Sequence, residues 1–363
     1  MAREGGMSRR EFLLLAGAAC CAGAAGAFGA EEAKPGARVM IENVDRFRVR
    51  EPNFEGVRIV VDFFGEKYTP AYIQGISGAA FRIAGPCPCA PNCSTQMGTT
   101  DLLKLLGYEY IVSELEGEGG LEEAQGRMAA LVPKIKDSIR VSRPALLWYA
   151  FADSAYEVVT GFDDGEGVFL GWHLHQGPSE GLAKATQTHA VECFGRFPAA
   201  GAIFVGKKTG ELDAKAAEIA ALKEAVRHAH DRKVTTGPGN PGPEGLRAYD
   251  GWVDRFKQPE AKRGPGDSHC HSVYRTTHRA AAGFLNEIAP RYPQAADQLR
   301  AAATEFAAEA DALDSAEPPI GWSSPEQDAD RDAKLWPLLA KARDHYAAGI
   351  AQIEKALPRL TAA

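Results

Sequence analysis

The chain has 363 residues, 45% hydrophobic and 25% charged, with a formal net charge of −7. This is the composition of an ordinary globular protein with room for a sizeable core, in two domains or one large one. An acidic chain without a basic block offers nucleic acid no electrostatic footprint, so nucleic acid is excluded as an expected partner.

The stretch MSRREFLLLAGAACCAGAAGAFGA, ending at Ala30, reads as a basic start, an apolar run and a small-residue cleavage region. Its adjacent Arg9 and Arg10 resemble the twin-arginine export signal, whose machinery carries folded and often cofactor-loaded proteins. Residues 1–30 are therefore expected to be a signal peptide, and the mature protein is expected in the periplasm or otherwise outside. The run from Phe12 to Ala30 is mostly Ala and Gly, too weakly apolar to read as a membrane span, so no transmembrane helix is expected in the mature chain. Cys20 and Cys21 lack the leucine that a lipidation cysteine carries three positions earlier. Removal of this segment takes away three arginines and two glutamates, and the net charge moves from −7 to −8. Cys87, Cys89, Cys93, Cys193 and Cys270 then remain, an odd set in an oxidising compartment.

Residues 39–64 hold β-branched and aromatic runs, and VRIVVDFF reads as a strand entering the core. KYTPAYI is a poor strand with Pro70 inside it, and Ser77 to Ile83 reads as a short helix. Thr99 or Thr100 caps a helix through DLLKLLG, Gly107 stops it, and YEYIVS follows as a strand. Met128, Leu131, Ile135 and Ile139 spell the next helix, with Pro133 in its middle. RPALLWYAF, YEVVTGFDDG, VFLGWHLHQ and GAIFVGKK follow as strands. From Glu211 the pattern turns helical: Leu212 to Val226, Val273 to Ile288, Leu299 to Leu313, and Leu335 to Leu357 each form an apolar stripe. TTGPGNPGPEG and AEPPIGWSSPE read as connectors between these helices. The expected fold class is α+β: a mixed domain of helices and antiparallel sheet over residues 31–210, then a helical C-terminal region over 211–363.

GISGA differs from a G-x-S-x-G nucleophile elbow only at Ala79. A serine opening a helix would gain from the backbone N–H groups and dipole there, which stabilise an oxyanion; the competing reading is a cap and a tight turn. The order of QGISGAAFR, a cysteine loop, DLLKLLGYE, RPALLWYAF and EVVTGFDDG resembles the N-terminal domain family named after butirosin-biosynthesis protein H, itself similar to the papain-like peptidases that process bacteriocin leaders. HRAAAGFLNEIAP looks like the tails such proteins carry. The resemblance, over roughly residues 55–210, implies a papain-like fold and acyl transfer or amide hydrolysis, with a nucleophile opening the first core helix and a histidine opening the strand of the G-F-D turn.

On that pattern Ser77 stands at the nucleophile position instead of cysteine, and Gln74 is the oxyanion-hole candidate, closer in sequence than the family's glutamine. Ala155, Tyr156 or Glu157 stands where the histidine belongs, leaving Asp153 or Glu157 to act as base only if burial raises its pKa. CPCAPNC presents Cys87, Cys89 and Cys93 for a disulfide or one soft metal ion, zinc, copper or iron. Strand periodicity sets His173 and His175 on one face about 7 Å apart, a second metal candidate. SHCHSVYRTTH adds His271 and His278 on one helical stripe, roughly 10 Å apart and too distant to share an ion. Three functions follow: a catalytically degenerate relative that binds a peptide or small-molecule ligand, a serine-dependent amide hydrolase or acyltransferase, and an exported metal-binding protein. The missing histidine favours the first.

Overall fold

The computed structural model describes residues 37–84, 97–152, 155–176, 180–194, 200–230, 234–237, 240–258, 262–321, 323–326 and 328–361. Strand β1 (Arg38–Met40) leads to helix α1 (Pro52–Phe63). The sequence VRIVVDFF, expected as a strand, is the body of this helix. Glu51 decides the matter locally: its carboxylate accepts N–H bonds from Asn53 at 3.2 Å and Phe54 at 2.8 Å, and Pro52 supplies the φ of the first turn. Residues 54–61 are all buried, with Glu55 and Arg58 paired to each other, so this stretch presents no face to solvent and its β-branched run mimics a core strand.

Helix α2 (Pro70–Ile76) repeats the device, with Thr69 Oγ1 accepting from Tyr72 N at 2.9 Å and Pro70 in the first turn. The helix expected from Ser77 to Ile83 shrinks to a single 3-10 turn at Ala79–Phe81, after Gly78 at φ +79°. Helix α3 (Thr99–Leu105), strand β2 (Tyr108–Ser113), helix α4 (Gly120–Arg140), and strands β3 (Ala145–Trp148), β4 (Tyr156–Asp163), β5 (Val168–Trp172), β6 (Ala183–Thr186) and β7 (Ala202–Lys208) complete the first half. The sheet is antiparallel, in the order β2-β7-β3-β4-β5-β6. β1 joins the far end of β4, with Arg38 opposite Asp163 and Met40 opposite Gly161, beyond the reach of β3. The protein is thus a mixed α+β structure. Helix α1 lies directly on the sheet, since a Cβ on its Gly56 would meet Leu146 of β3 and the Tyr156 carbonyl of β4.

The second half holds α5 (Ala214–His230), a hairpin of β8 (Val234–Gly237) and β9 (Asn240–Pro243), α6 (Leu246–Phe256), α7 (Pro265–Ile288), α8 (Ala296–Ser315), one turn at Glu317–Ile320, and α9 (Ala329–Thr361). The stretch expected as a connector, TTGPGNPGPEG, supplies the hairpin, and α6 follows where no element was expected. On α5 the buried residues are Ala217, Glu218, Ala221, Leu222, Ala225, His228 and Ala229; the larger Ile219 and Val226 are only partly buried.

The helical half meets α2 through α7 and α5. A Cβ on Gly75 of α2 would fall 2.1 Å from Phe284 of α7, so only glycine allows this crossing. Burial is continuous across residue 210: one apolar cluster includes Ile59 and Val60 of α1, Val158 of β4, Phe284 and Phe306 of the later helices, and Leu360 near the end of α9. Among the described residues no helix is long and apolar enough to cross a membrane.

Candidate functional site

Ser77 closes α2 where a helix opening was expected. Its hydroxyl donates to the Gln74 carbonyl at 3.1 Å and accepts from Ala79 N at 3.4 Å. Both partners are main-chain atoms of its own turn, and among the described residues no imidazole or carboxylate lies within hydrogen-bond reach of it. A helix C-terminus presents carbonyl oxygens and the negative end of the dipole, which oppose an oxyanion. Gln74 is fully buried, and neither atom of its amide completes a hydrogen bond among the described residues. It lies against Glu51 instead. Burial pushes the Glu51 carboxyl up to about 7, against the lowering effects of the Phe54 and Asn53 amides and of Gln74.

Glu157 is also fully buried, on β4 opposite Leu147. Its carboxylate accepts from Phe151 N at 2.5 Å and Ala152 N at 3.3 Å, tying down the loop between β3 and β4. That geometry engages the base candidate as a loop anchor. Asp153 lies outside the described residues. The strand start at Tyr156 is met by α1: Asn53 Oδ1 accepts from Tyr156 N at 3.1 Å. The helix that opens against this strand is therefore α1, with Glu51, Pro52 and Asn53 at its mouth. Sequence reasoning missed it because VRIVVDFF read as a strand. The local signal was Glu-Pro, a capping carboxylate before a first-turn proline. The mouth is covered by α7, where Arg50 N donates to Thr276 Oγ1 at 3.0 Å and Arg50 Nη1 to Ser272 Oγ at 2.7 Å.

On the other side of Ser77 lies a cavity of about 320 Å³. Ser77 and Gly78 form one wall, Ala217, Ala220 and Ala221 of α5 the opposite one, and Ile76, Met97 and Leu105 add apolar surface. Its charged groups are Arg82 and Glu224, 3.5 Å apart. Glu224 is also gripped by Arg227, and Arg82 faces Glu244 at 3.7 Å. Burial is the main cause that lowers the Arg82 pKa from its usual value, against the support of those carboxylates.

Arg82 belongs to a four-residue segment held by side chains from three helices. Tyr346 of α9 donates to the Phe81 carbonyl at 2.9 Å, and His278 Nε2 of α7 bonds the Arg82 carbonyl at 2.9 Å. His228 Nε2 of α5 meets both main-chain groups of Ile83, and the Tyr274 hydroxyl of α7 meets both of Ala84. His278 Nδ1 lies 2.6 Å from the Glu309 carboxylate, to which Tyr249 also donates. Both His278 nitrogens thus face acceptors only, which calls for the imidazolium form. Burial alone would lower its pKa, but Glu309 and the Arg82 carbonyl outweigh that and raise it.

The metal candidates are not brought together among the described residues. Cys87, Cys89 and Cys93 lie outside them. β5 ends at Trp172, so His173 and His175 sit in the following turn and not on a strand face. Their rings are 6.3 Å apart at 65°, and His173 Nδ1 accepts the His175 N–H at 3.3 Å, which occupies one ligand position. No group of three or more His, Cys, Asp or Glu side chains among the described residues is arranged to hold a metal ion. No family model matches the chain, and no curated protein matches it either.

Proposed function

We propose that this is an exported, catalytically silent relative of papain-like amide hydrolases and acyltransferases that binds a small-molecule ligand. The observation that carries the reading is the mouth of α1. A papain-like enzyme has its nucleophile at the opening of the helix that lies on the sheet, beside the strand that opens with the base. Here that opening is Glu51, Pro52 and Asn53, without thiol or hydroxyl, and the strand opens with Tyr156. Glu51 caps its own helix, Asn53 is bonded to Tyr156 N, and α7 covers the mouth through Arg50. Ser77, the remaining hydroxyl candidate, is engaged in its own turn, and among the described residues no base reaches it. The apolar cavity beside Ser77 has the small volume and few polar groups that suit a small molecule better than a peptide.

Export is inferred from the twin-arginine stretch alone, and Arg9→Lys with Arg10→Lys is expected to hold the protein in the cytoplasm. The binding reading is tested by a thermal-shift screen of small polar and amphiphilic molecules against the purified protein and against Ala221→Trp, which fills the cavity from α5. Hits lost in Ala221→Trp support the cavity; a peptide that protects both proteins equally points elsewhere. A stoichiometric adduct with a fluorophosphonate probe, lost in Ser77→Ala, would overturn catalytic silence.

A further inference from the structure

Ile83 lies between the cavity wall at Arg82 and the bridge that pairs Ala84 with Glu244, and one imidazole faces both its main-chain groups. His228 Nε2 is 3.0 Å from Ile83 N and 2.9 Å from the Ile83 carbonyl. A single ring nitrogen cannot accept and donate at once. The other nitrogen, Nδ1, completes no aligned hydrogen bond among the described residues, but the Glu244 carboxylate 3.1 Å away is the charge it faces and favours the proton on that side. Neutral His228 is therefore the Nδ1–H tautomer, with Nε2 accepting from Ile83 N–H. The Ile83 carbonyl is satisfied separately by Gly245 N at 2.9 Å. Gly245 is needed for that bond, because its φ is +60° and a Cβ would stand 2.3 Å from the His228 carbonyl.

We propose that His228 is an acid-operated latch on residues 81–84: a proton arriving at Nε2 turns the acceptor of Ile83 N–H into a donor toward the Ile83 carbonyl, already held by Gly245, and leaves the buried Ile83 amide without a partner. Two charged groups face the ring from other elements, Glu244, which favours the proton, and Arg82, which opposes it. On its own helix Glu224 and Arg227 are paired with each other, and His278, Tyr274 and Tyr346 hold the neighbouring main chain. Burial is the largest effect on the imidazole and lowers its pKa from 6.5, so the latch is closed at neutral pH. The released segment carries Arg82, so acid would also loosen the cavity wall. That last consequence rests on the cavity being the binding site; the latch itself does not.

Native-state hydrogen exchange of the whole protein, corrected for intrinsic rates, tests it between about pH 7.5 and about pH 5. Protection at Ile83 is expected to fall about tenfold or more on acidification, because an orphaned buried amide is costly, while Val158 and Val159 in β4 hold theirs. His228→Gln keeps an acceptor and cannot titrate, so the step disappears. A flat Ile83 profile through the titration of His228, or the same step in His228→Gln, overturns the latch. If that variant does not fold, nitrogen-15 imidazole spectra of the unmodified protein decide: an Nδ1–H tautomer at neutral pH supports the latch and an Nε2–H tautomer overturns it. Ligand-induced thermal shifts at neutral pH bear on the cavity alone, so the two readings fail separately.

Discussion

On the sheet side, Glu51 and Glu157 are buried carboxylates that accept main-chain N–H groups from residues two to six positions away. On the helical side, His228, Tyr274, His278 and Tyr346 reach main-chain groups 145 to 265 positions away, all within residues 81–84. The first kind of contact forms as soon as its own loop or helix forms. The second exists only once the C-terminal helices have closed around α2, so the segment beside the cavity depends on the whole chain. This difference separates polar residues that build local structure from those that set one segment in place.

The largest expected effect comes from separating the two sides. Residues 37–210 alone would expose the face of α2 at Gly75 and lose every long-range partner of residues 81–84, and they are expected to lack a cooperative thermal transition. A sharp transition for that fragment would show that the sheet side stands by itself. Next is Glu309→Ala, which leaves a buried imidazolium without its counter-charge. Breaking a fully buried pair costs about 3–5 kcal/mol, read as a fall in the urea midpoint.

Acid and base should act oppositely on the two buried histidines. His278 has its folded pKa raised above 6.5, so its contribution is fully present below pH 6.5 and is lost as pH rises through the folded value. His228 has its folded pKa lowered, so its contribution is present above pH 6.5 and is lost as pH falls toward the folded value. Urea midpoints of His278→Gln should therefore approach those of the unmodified protein on the alkaline side, and those of His228→Gln on the acid side. Parallel pH profiles in all three proteins would contradict the assignment. The smallest effect belongs to Ser77→Ala, where loss of two weak main-chain bonds is expected to cost about 1 kcal/mol or less. A much larger loss of stability would mean that the Ser77 hydroxyl has a further structural role.

Periodicity made the long amphipathic helices legible, with Met128, Leu131, Ile135 and Ile139 buried as their spacing predicts. Alternating apolar runs bounded by turns likewise gave the strands at 145–148, 156–163, 168–172 and 202–208. The α1 helix was missed because burial on every side erases the helical period and leaves only β-branched residues to read. Helix α6 escaped because Gly and Pro just before it suggested a loop, although Leu246, Tyr249, Val253 and Phe256 carry helical spacing. Around the candidate site, the sequence drew attention to Ser77 through its glycines. It could not show that the serine ends a helix, nor that His228 and His278 meet residues 81–84, since those contacts join positions far apart in the chain.

The proposed catalytic silence is tested most directly by intact-mass measurement of the purified protein after prolonged incubation with a fluorophosphonate probe. An unchanged mass is expected, because among the described residues no base reaches Ser77 and no thiol or hydroxyl stands at Glu51, Pro52 and Asn53. A single stoichiometric adduct that maps to Ser77 and vanishes in Ser77→Ala would contradict it and make the protein a serine-dependent enzyme.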